Sequence, residues 1–170
     1  TQFLAGRIEE AKQEVSTFLE TYKDPTLLGD AAFLRGTILS SEKKYEEANQ
    51  EFRVVVEQYP QSEFAPEAMY KMGECLAQLN RMDEAANVFA TCATTYPSHA
   101  LVQEAILRVG DAKFLGAKFS DAIAEYKRVL ETAPDPVKEE LTLYRLAVSY
   151  HNMQDFKSSA NTFRTLLDKY

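Results

Sequence analysis

The sequence repeats itself with a constant step of 37 residues. Six kinds of position recur at this step, and no insertion or deletion interrupts the series. They are Gly36, Gly73, Gly110 and Ala147; Tyr45, Met82, Phe119 and Phe156; Ala48, Ala85, Ala122 and Ser159; Phe52, Phe89, Tyr126 and Phe163; Val55, Cys92, Val129 and Leu166; and Pro60, Pro97 and Pro134. A constant period of this length is typical of a protein built from stacked structural repeats.

Each period predicts two helices separated by a short polar turn. At the start of the chain, Ile8, Ala11, Val15, Phe18 and Tyr22 keep the spacing of one helical face. The proline that closes each period cannot continue a helix, so it marks the end of the second helix. No segment shows the alternation of apolar and polar residues that indicates a strand.

We therefore predict an all-α chain, an α-α superhelix of about nine helices. Residues 1–23 form the second helix of an incomplete repeat, and four repeats follow at 24–60, 61–97, 98–134 and 135–170. Because no linker is long enough to separate domains, we expect one solenoid over residues 1–170. The series begins within a repeat, so we expect that further sequence preceded Thr1.

Three of the periodic positions place glycine inside a predicted helix, where it costs about 1 kcal/mol relative to alanine. Close packing between the two helices of a repeat would explain this cost. The small residues that we assign to this packing are Gly36, Gly73, Gly110 and Ala147 on the first helices, and Ala48, Ala85 and Ala122 opposite them.

Composition and motifs exclude several classes of function. A formal net charge of −7 argues against nucleic acid or an anionic membrane as the main partner. No run approaches the ~18 apolar residues of a membrane span, so we expect no direct membrane insertion. Cys75 and Cys92 form no CxxC motif, and His99 and His151 have no nucleophile or metal-ligand set at a useful spacing. With no P-loop and no GxGxxG present, we predict no catalytic site, no metal and no cofactor.

This order of residues resembles the tetratricopeptide repeat, which in the second complete repeat is matched by Gly73, Leu76, Met82, Ala85, Phe89 and Pro97. The resemblance covers essentially the whole chain and implies a scaffold for protein–protein interaction. The period is longer than the usual repeat of about 34 residues. Arg35 and Lys113 also depart from the pattern, because they occupy columns that are apolar elsewhere.

The form YPxSxxAPEAxYxxG at residues 59–73 is similar to repeats of bacterial cell-envelope proteins. Examples are the Tol–Pal-associated periplasmic coordinator and the outer-membrane assembly lipoprotein of the β-barrel machinery. The residues themselves do not encode a compartment, and this resemblance favours the bacterial periplasm or cell envelope.

The resemblance also implies that the first helices line a concave groove that binds a peptide or helix of a partner. The residues that helical spacing places on this face are Phe33, Thr37, Glu67, Tyr70, Glu74, Glu104, Leu107, Asp111, Phe114, Tyr144, Val148 and His151. In one interpretation, Phe33, Tyr70, Leu107 and Tyr144 form a ladder of apolar anchors, and the carboxylates favour a partner with Lys or Arg. In the other, the large side chains pack along the superhelix and the acids are a solvated face.

Self-assembly is a second class of function that the pattern allows. The last predicted helix carries Phe163, Leu166 and Leu167, whereas terminal repeats normally present a polar outer face. Either further repeats follow in the natural chain, or this end docks to other copies as a homo-oligomer.

Overall fold

The computed structural model describes residues 2–21, 25–132 and 134–170. The regular structure of these residues is entirely α-helical, which confirms the prediction of an all-α chain with about nine helices. The helices are α1 (Gln2–Thr21), α2 (Pro25–Ser41), α3 (Tyr45–Gln58), α4 (Ala65–Gln78), α5 (Met82–Thr95), α6 (Val102–Leu115), α7 (Phe119–Glu131), α8 (Pro136–Asn152) and α9 (Phe156–Lys169).

The helices form two compact units, Thr1–Arg81 with α1 to α4 and Met82–Tyr170 with α5 to α9. We call them unit 1 and unit 2. Within each unit, every helix packs against the next one along the chain. This is the order expected of stacked helical hairpins. The assignment of residues 1–170 to one domain with four complete repeats stays a prediction.

The second helices begin at the predicted periodic positions. Helices α3, α5, α7 and α9 start at Tyr45, Met82, Phe119 and Phe156. The first three end before the proline that closes their period, because proline lacks the N–H that helix continuation needs. Helix α8 also has an N-cap, because the Asp135 carboxylate accepts a hydrogen bond from the Lys138 backbone N–H.

The turn inside each hairpin contains one residue in the left-handed conformation. These residues are again 37 apart, namely Lys43, Asn80, Ala117 and Gln154. In the third hairpin, the Lys118 N–H donates to the Lys113 carbonyl at 2.8 Å, which closes the helix end. Glycine is the residue that adopts this conformation most readily, yet Gly116 lies one position earlier, with φ of −76°.

A glycine at the left-handed position should therefore stabilise the chain. We expect Ala117→Gly to raise the free energy of unfolding by about 0.5–1 kcal/mol, because alanine pays a steric cost there that exceeds the added backbone entropy of glycine. Urea unfolding followed by circular dichroism measures this difference. Asn80→Gly is the matched control and should change little, because asparagine already tolerates the conformation. A lower stability of Ala117→Gly would contradict the assignment.

The helical glycines pack against aromatic rings. A Cβ atom at Gly36 would lie 2.7 Å from Phe52 Cε1, and one at Gly110 would lie 2.6 Å from Tyr126 Cε1. At Gly36 and Gly110 the nearest atoms of the facing helix therefore belong to a ring and not to the predicted alanines. Helical side chains lean toward the N-terminus, so a ring four residues after the alanine covers the same stretch of the facing helix.

The small residues of the predicted packing set are all in the protein interior. Gly73 is buried, as are Gly36 and Gly110. The remaining members, Ala48, Ala85, Ala122 and Ala147, have no exposed surface. Every one of these positions therefore holds a small buried residue, including those whose closest neighbour is an aromatic ring.

The two cations that depart from the repeat pattern are paired inside their own hairpins. Arg35 contacts Glu51 at 2.6 Å, and Lys113 contacts Glu125 at 2.8 Å. Glu51 and Glu125 occupy the same column of the repeat, two periods apart. Each cation in an apolar column is therefore compensated by an acid on the facing helix, which keeps a partly buried charge from being unpaired.

Candidate functional site

The twelve residues predicted to bind a partner lie on the first helices of both units. We call those of α2 and α4 the unit-1 face and those of α6 and α8 the unit-2 face. The unit-1 face comprises Phe33, Thr37, Glu67, Tyr70 and Glu74. The unit-2 face comprises Glu104, Leu107, Asp111, Phe114, Tyr144, Val148 and His151. Spacings of three and four residues place the members from each helix on one side of that helix.

The aromatic side chains of the unit-1 face pack within the unit. The half-buried Phe33 ring stacks on Phe64 with 4.7 Å between ring centroids, and it lies 5.7 Å from the Phe52 ring. Tyr70 is only 8% exposed. The Thr37 hydroxyl donates to the Phe33 carbonyl of its own helix. These contacts favour the packing interpretation for Phe33 and Tyr70 over the interpretation as open anchors.

The carboxylates of the unit-1 face flank a lysine. Glu67 and Glu74 are half exposed, and their oxygens lie 3.9 Å and 4.0 Å from Lys71 Nζ. Pairs at this distance and exposure contribute little to stability. This part of the face therefore presents two acids and one base to solvent.

On α6, the members of the unit-2 face are buried or half-buried, whereas Tyr144 and His151 on α8 are exposed. Leu107 is 1% exposed, and the Phe114 ring packs edge-on against Phe119 at 5.4 Å. The predicted ladder is wrong at Leu107 as well as Tyr70, because both side chains are in the interior. Tyr144, in contrast, is 52% exposed.

Apolar groups surround Tyr144 on α8. Leu141 is exposed one turn before it, and Val148 is half-buried one turn after it. The Tyr144 ring makes an edge contact with Phe163 at 6.2 Å, which holds it against α9. The exposed His151 ring lies near the end of the same helix, 5.4 Å from Phe156. This group of α8 side chains is the apolar part of the unit-2 face that a ligand can reach.

Asp111 is not a free acid at the rim of a groove. Its carboxylate accepts hydrogen bonds from the Tyr126 hydroxyl at 3.0 Å, from Arg145 Nη1 at 2.6 Å and from Arg108 Nη1 at 3.3 Å. These contacts join α6, α7 and α8 within unit 2, so they favour an internal role for Asp111 over the predicted attraction of a basic partner. Burial raises the pKa of Asp111, although both guanidinium groups and the Tyr126 hydroxyl act in the opposite direction.

Sequence reasoning missed a column of cations on the same faces. Lys71, Arg108 and Arg145 are 37 residues apart, so the period could have identified them. Arg108 also contacts Glu104 at 3.1 Å, one helical turn away. All four predicted carboxylates therefore have a cation of the same chain beside them, and the faces have mixed charge.

Within the described ranges, no three His, Cys, Asp or Glu side chains are arranged to hold a metal ion. Burial raises the pKa of Cys75 and of Cys92 to about 11, so both stay protonated at neutral pH. Among the helices described, none is both long and apolar enough to cross a membrane.

Comparison with protein families identifies two segments of the chain. A family model described as tetratricopeptide repeat matches residues 39–108, and a second model with the same description matches residues 141–170. The sequence matches no curated protein.

Several solved structures share the fold over nearly the whole chain. MamA 41-end from Desulfovibrio magneticus RS-1 is 20% identical, with a TM-score of 0.76 over 98% of this chain and 88% of the other. BtubC (BKLC) from P. vanneervenii is 15% identical, with a TM-score of 0.80 over 99% of this chain and 75% of the other. A putative kinesin light chain with nearly identical TPR-like repeats, from Podosopora anserina, is 11% identical, with a TM-score of 0.79 over 98% and 88%.

Proposed function

This chain is built from tetratricopeptide repeats, and on that premise we propose that it is a non-catalytic scaffold that binds a peptide or helix of a partner protein. The binding surface is the exposed α8 part of the unit-2 face, and the exposed acids of the unit-1 face are a separate surface of their own unit. The observation that carries the proposal is the exposed Tyr144 ring beside Leu141. An exposed aromatic on a rigid helix can supply a buried anchor at small entropic cost.

The partner that fits this surface has an apolar side chain that contacts Tyr144. It carries no large excess of positive or negative charge. The carboxylates of unit 2 already contact Arg108 and Arg145, so they add little attraction for a basic partner. A preference for Lys or Arg is part of the proposal only on the unit-1 face. There, Glu67 and Glu74 are about half exposed, and their oxygens lie 3.9 Å and 4.0 Å from Lys71 Nζ.

Peptides selected from a displayed library on this protein should depend on Tyr144. We expect Tyr144→Ala to weaken their binding at least about tenfold, because the variant removes the exposed ring that anchors the peptide. Fluorescence polarisation with labelled peptides measures the dissociation constants. Binding that is equally tight in Tyr144→Ala would refute the α8 anchor.

The chain offers matched controls for this experiment. Tyr170 is similarly exposed but lies beyond the α8 face, so Tyr170→Ala should bind like the unchanged protein. Glu74→Lys tests the charge preference of the unit-1 face separately. It should weaken only peptides that carry lysine or arginine, and mainly through their association rate.

Self-association through the last helix is a second candidate function. It is favoured by Leu167, which is 79% exposed on α9. Phe156 and Tyr170 are also exposed at the two ends of this helix, and a group of exposed apolar side chains is the type of surface that joins copies of a chain. The oligomeric state in solution tests this candidate independently of peptide binding.

We also propose the bacterial periplasm or cell envelope as the location. The support is the similarity of residues 59–73 to repeats of envelope proteins. Fractionation of the native cells, with the protein detected by antibody, tests this location. Recovery only in the cytoplasmic fraction would exclude it.

A further inference from the structure

Three positions of the first helices change their charge in the last repeat. They lie four and three residues apart, and therefore on one side of each helix, and we call each set a triplet. The triplets of α4 and α6 place a cation between two acids: Glu67, Lys71 and Glu74, and Glu104, Arg108 and Asp111. The α8 triplet keeps the cation, but both acids are replaced by apolar residues: Leu141, Arg145 and Val148.

The triplet positions are accessible to solvent in the middle of the chain as well as on α8. The side chains of Glu67 and Arg108 are 46% and 37% exposed, although further helices follow both α4 and α6. The equivalent α8 positions are similar, since Leu141 is exposed and the Arg145 side chain is 25% exposed. The exposure of the α8 triplet therefore belongs to its position within the repeat.

The cation of the α8 triplet has no acid within its own triplet. Lys71 and Arg108 each lie within 4.0 Å of both acids of their own triplet. Arg145 contacts α6 instead, where its Nη1 donates to the Asp111 carboxylate at 2.6 Å. Among the residues that the structure describes, neither Nη2 nor Nε of Arg145 donates to a second acceptor. Asp111 thus holds the guanidinium in place and leaves N–H donors for another carboxylate.

We infer that the α8 triplet binds an aspartate or glutamate side chain of the partner peptide, with apolar side chains of the peptide on Leu141 and Val148. The charge of the triplet determines this choice. A carboxylate forms charge-assisted hydrogen bonds with a guanidinium, and these are stronger than bonds between neutral groups. The acids of the α4 and α6 triplets would repel the same carboxylate. The inference rests on the proposed function, because it names the chemistry of the partner at the same helix.

Peptides selected from a displayed library on this protein test the inference. They are synthesised with an acetylated N-terminus and an amidated C-terminus, so that only a side chain can supply a carboxylate. We expect them to carry aspartate or glutamate close to apolar residues. Replacing this acid with asparagine or glutamine should raise the dissociation constant about tenfold at low salt, as measured by fluorescence polarisation.

Leu141→Glu tests the role of Arg145 without removing the arginine. The variant restores the acid that α4 and α6 carry at this position, and a glutamate four residues before an arginine can pair with it. The variant should therefore distinguish an acidic peptide from its amide version by less than about twofold. Leu141→Gln is the matched control, because it loses the same apolar surface without adding a charge. It should keep most of the preference, and circular dichroism verifies that both variants are folded.

Four results would overturn the inference. They are selected peptides that carry no acid, an acid whose replacement changes the affinity by less than about twofold, a preference that survives Leu141→Glu, and an equal loss of the preference in Leu141→Gln. If such peptides still lose affinity in Tyr144→Ala, the scaffold proposal stands and only the carboxylate site is refuted. A selection that yields no peptide at all would contradict both.

Discussion

Replacing Asp111 with alanine will destabilise unit 2 by about 2–4 kcal/mol, because it removes the acceptor shared by three helices. The Tyr126 side chain is buried, so its hydroxyl would lose its 3.0 Å hydrogen bond without gaining water. Arg145 would lose its 2.6 Å contact with the carboxylate. Urea unfolding followed by circular dichroism measures the loss. An unfolding midpoint equal to that of the unchanged protein would contradict the role of Asp111 as a structural node.

Asp111→Asn separates the charge of this group from its hydrogen bonds. Asparagine keeps one acceptor oxygen, so its cost should be clearly smaller than that of alanine. Burial raises the pKa of Asp111, which means that the folded state binds the proton more tightly than the unfolded state. The contribution of this carboxyl to stability therefore increases as pH falls through its folded pKa. Asp111→Asn has no carboxyl at this position, so the pH dependence of its free energy of unfolding should lack this contribution.

Gly110→Ala will also destabilise unit 2, by about 1–3 kcal/mol. The added methyl group would lie 2.6 Å from Tyr126 Cε1 and 2.8 Å from Tyr126 Cδ1, which is far inside van der Waals contact. The ring is buried, and its hydroxyl is bonded to Asp111, so it cannot move aside freely. Alanine gains about 1 kcal/mol of helix propensity over glycine, and the steric cost exceeds this gain. Thermal or urea unfolding provides the measurement.

A change in the ring tests the cause of this cost. In a chain that already carries Tyr126→Leu, the same Gly110→Ala substitution should cost much less, because the ring atoms closest to the methyl group are gone. An equal cost in both backgrounds would show that the helix itself, and not the ring, rejects the methyl group. Gly36→Ala should behave like Gly110→Ala, since the Phe52 ring lies 2.7 Å from its added Cβ.

The helical framework could be predicted because it depends on local chemistry. Apolar spacing, closing prolines and polar turns recur every 37 residues, and the second helices begin at the predicted residues. The left-handed turn positions follow the same period. Sequence reasoning could not choose Ala117 over Gly116 from residue type alone, because glycine is the better residue for that conformation.

The candidate site was harder to predict because exposure depends on neighbours that sequence spacing does not identify. Tyr70, Leu107 and Tyr144 share one column, yet the first two are interior and the third is open to solvent. Asp111 and Arg145 are 34 residues apart, and they meet only because α8 packs next to the hairpin that holds α6. The cation column could have been found by the period, since Lys71, Arg108 and Arg145 keep the step of 37.

Periodicity and residue type were sufficient to establish an all-α repeat protein, its helix starts and the small residues of its interior. These properties follow from backbone preferences and from the spacing of apolar side chains along one helix. Only the packed helices decided that rings face the glycines, that Asp111 is an internal node, and that Tyr144 is open to solvent. The reason is that the environment of a side chain depends on the side chains that other helices bring within a few ångströms of it.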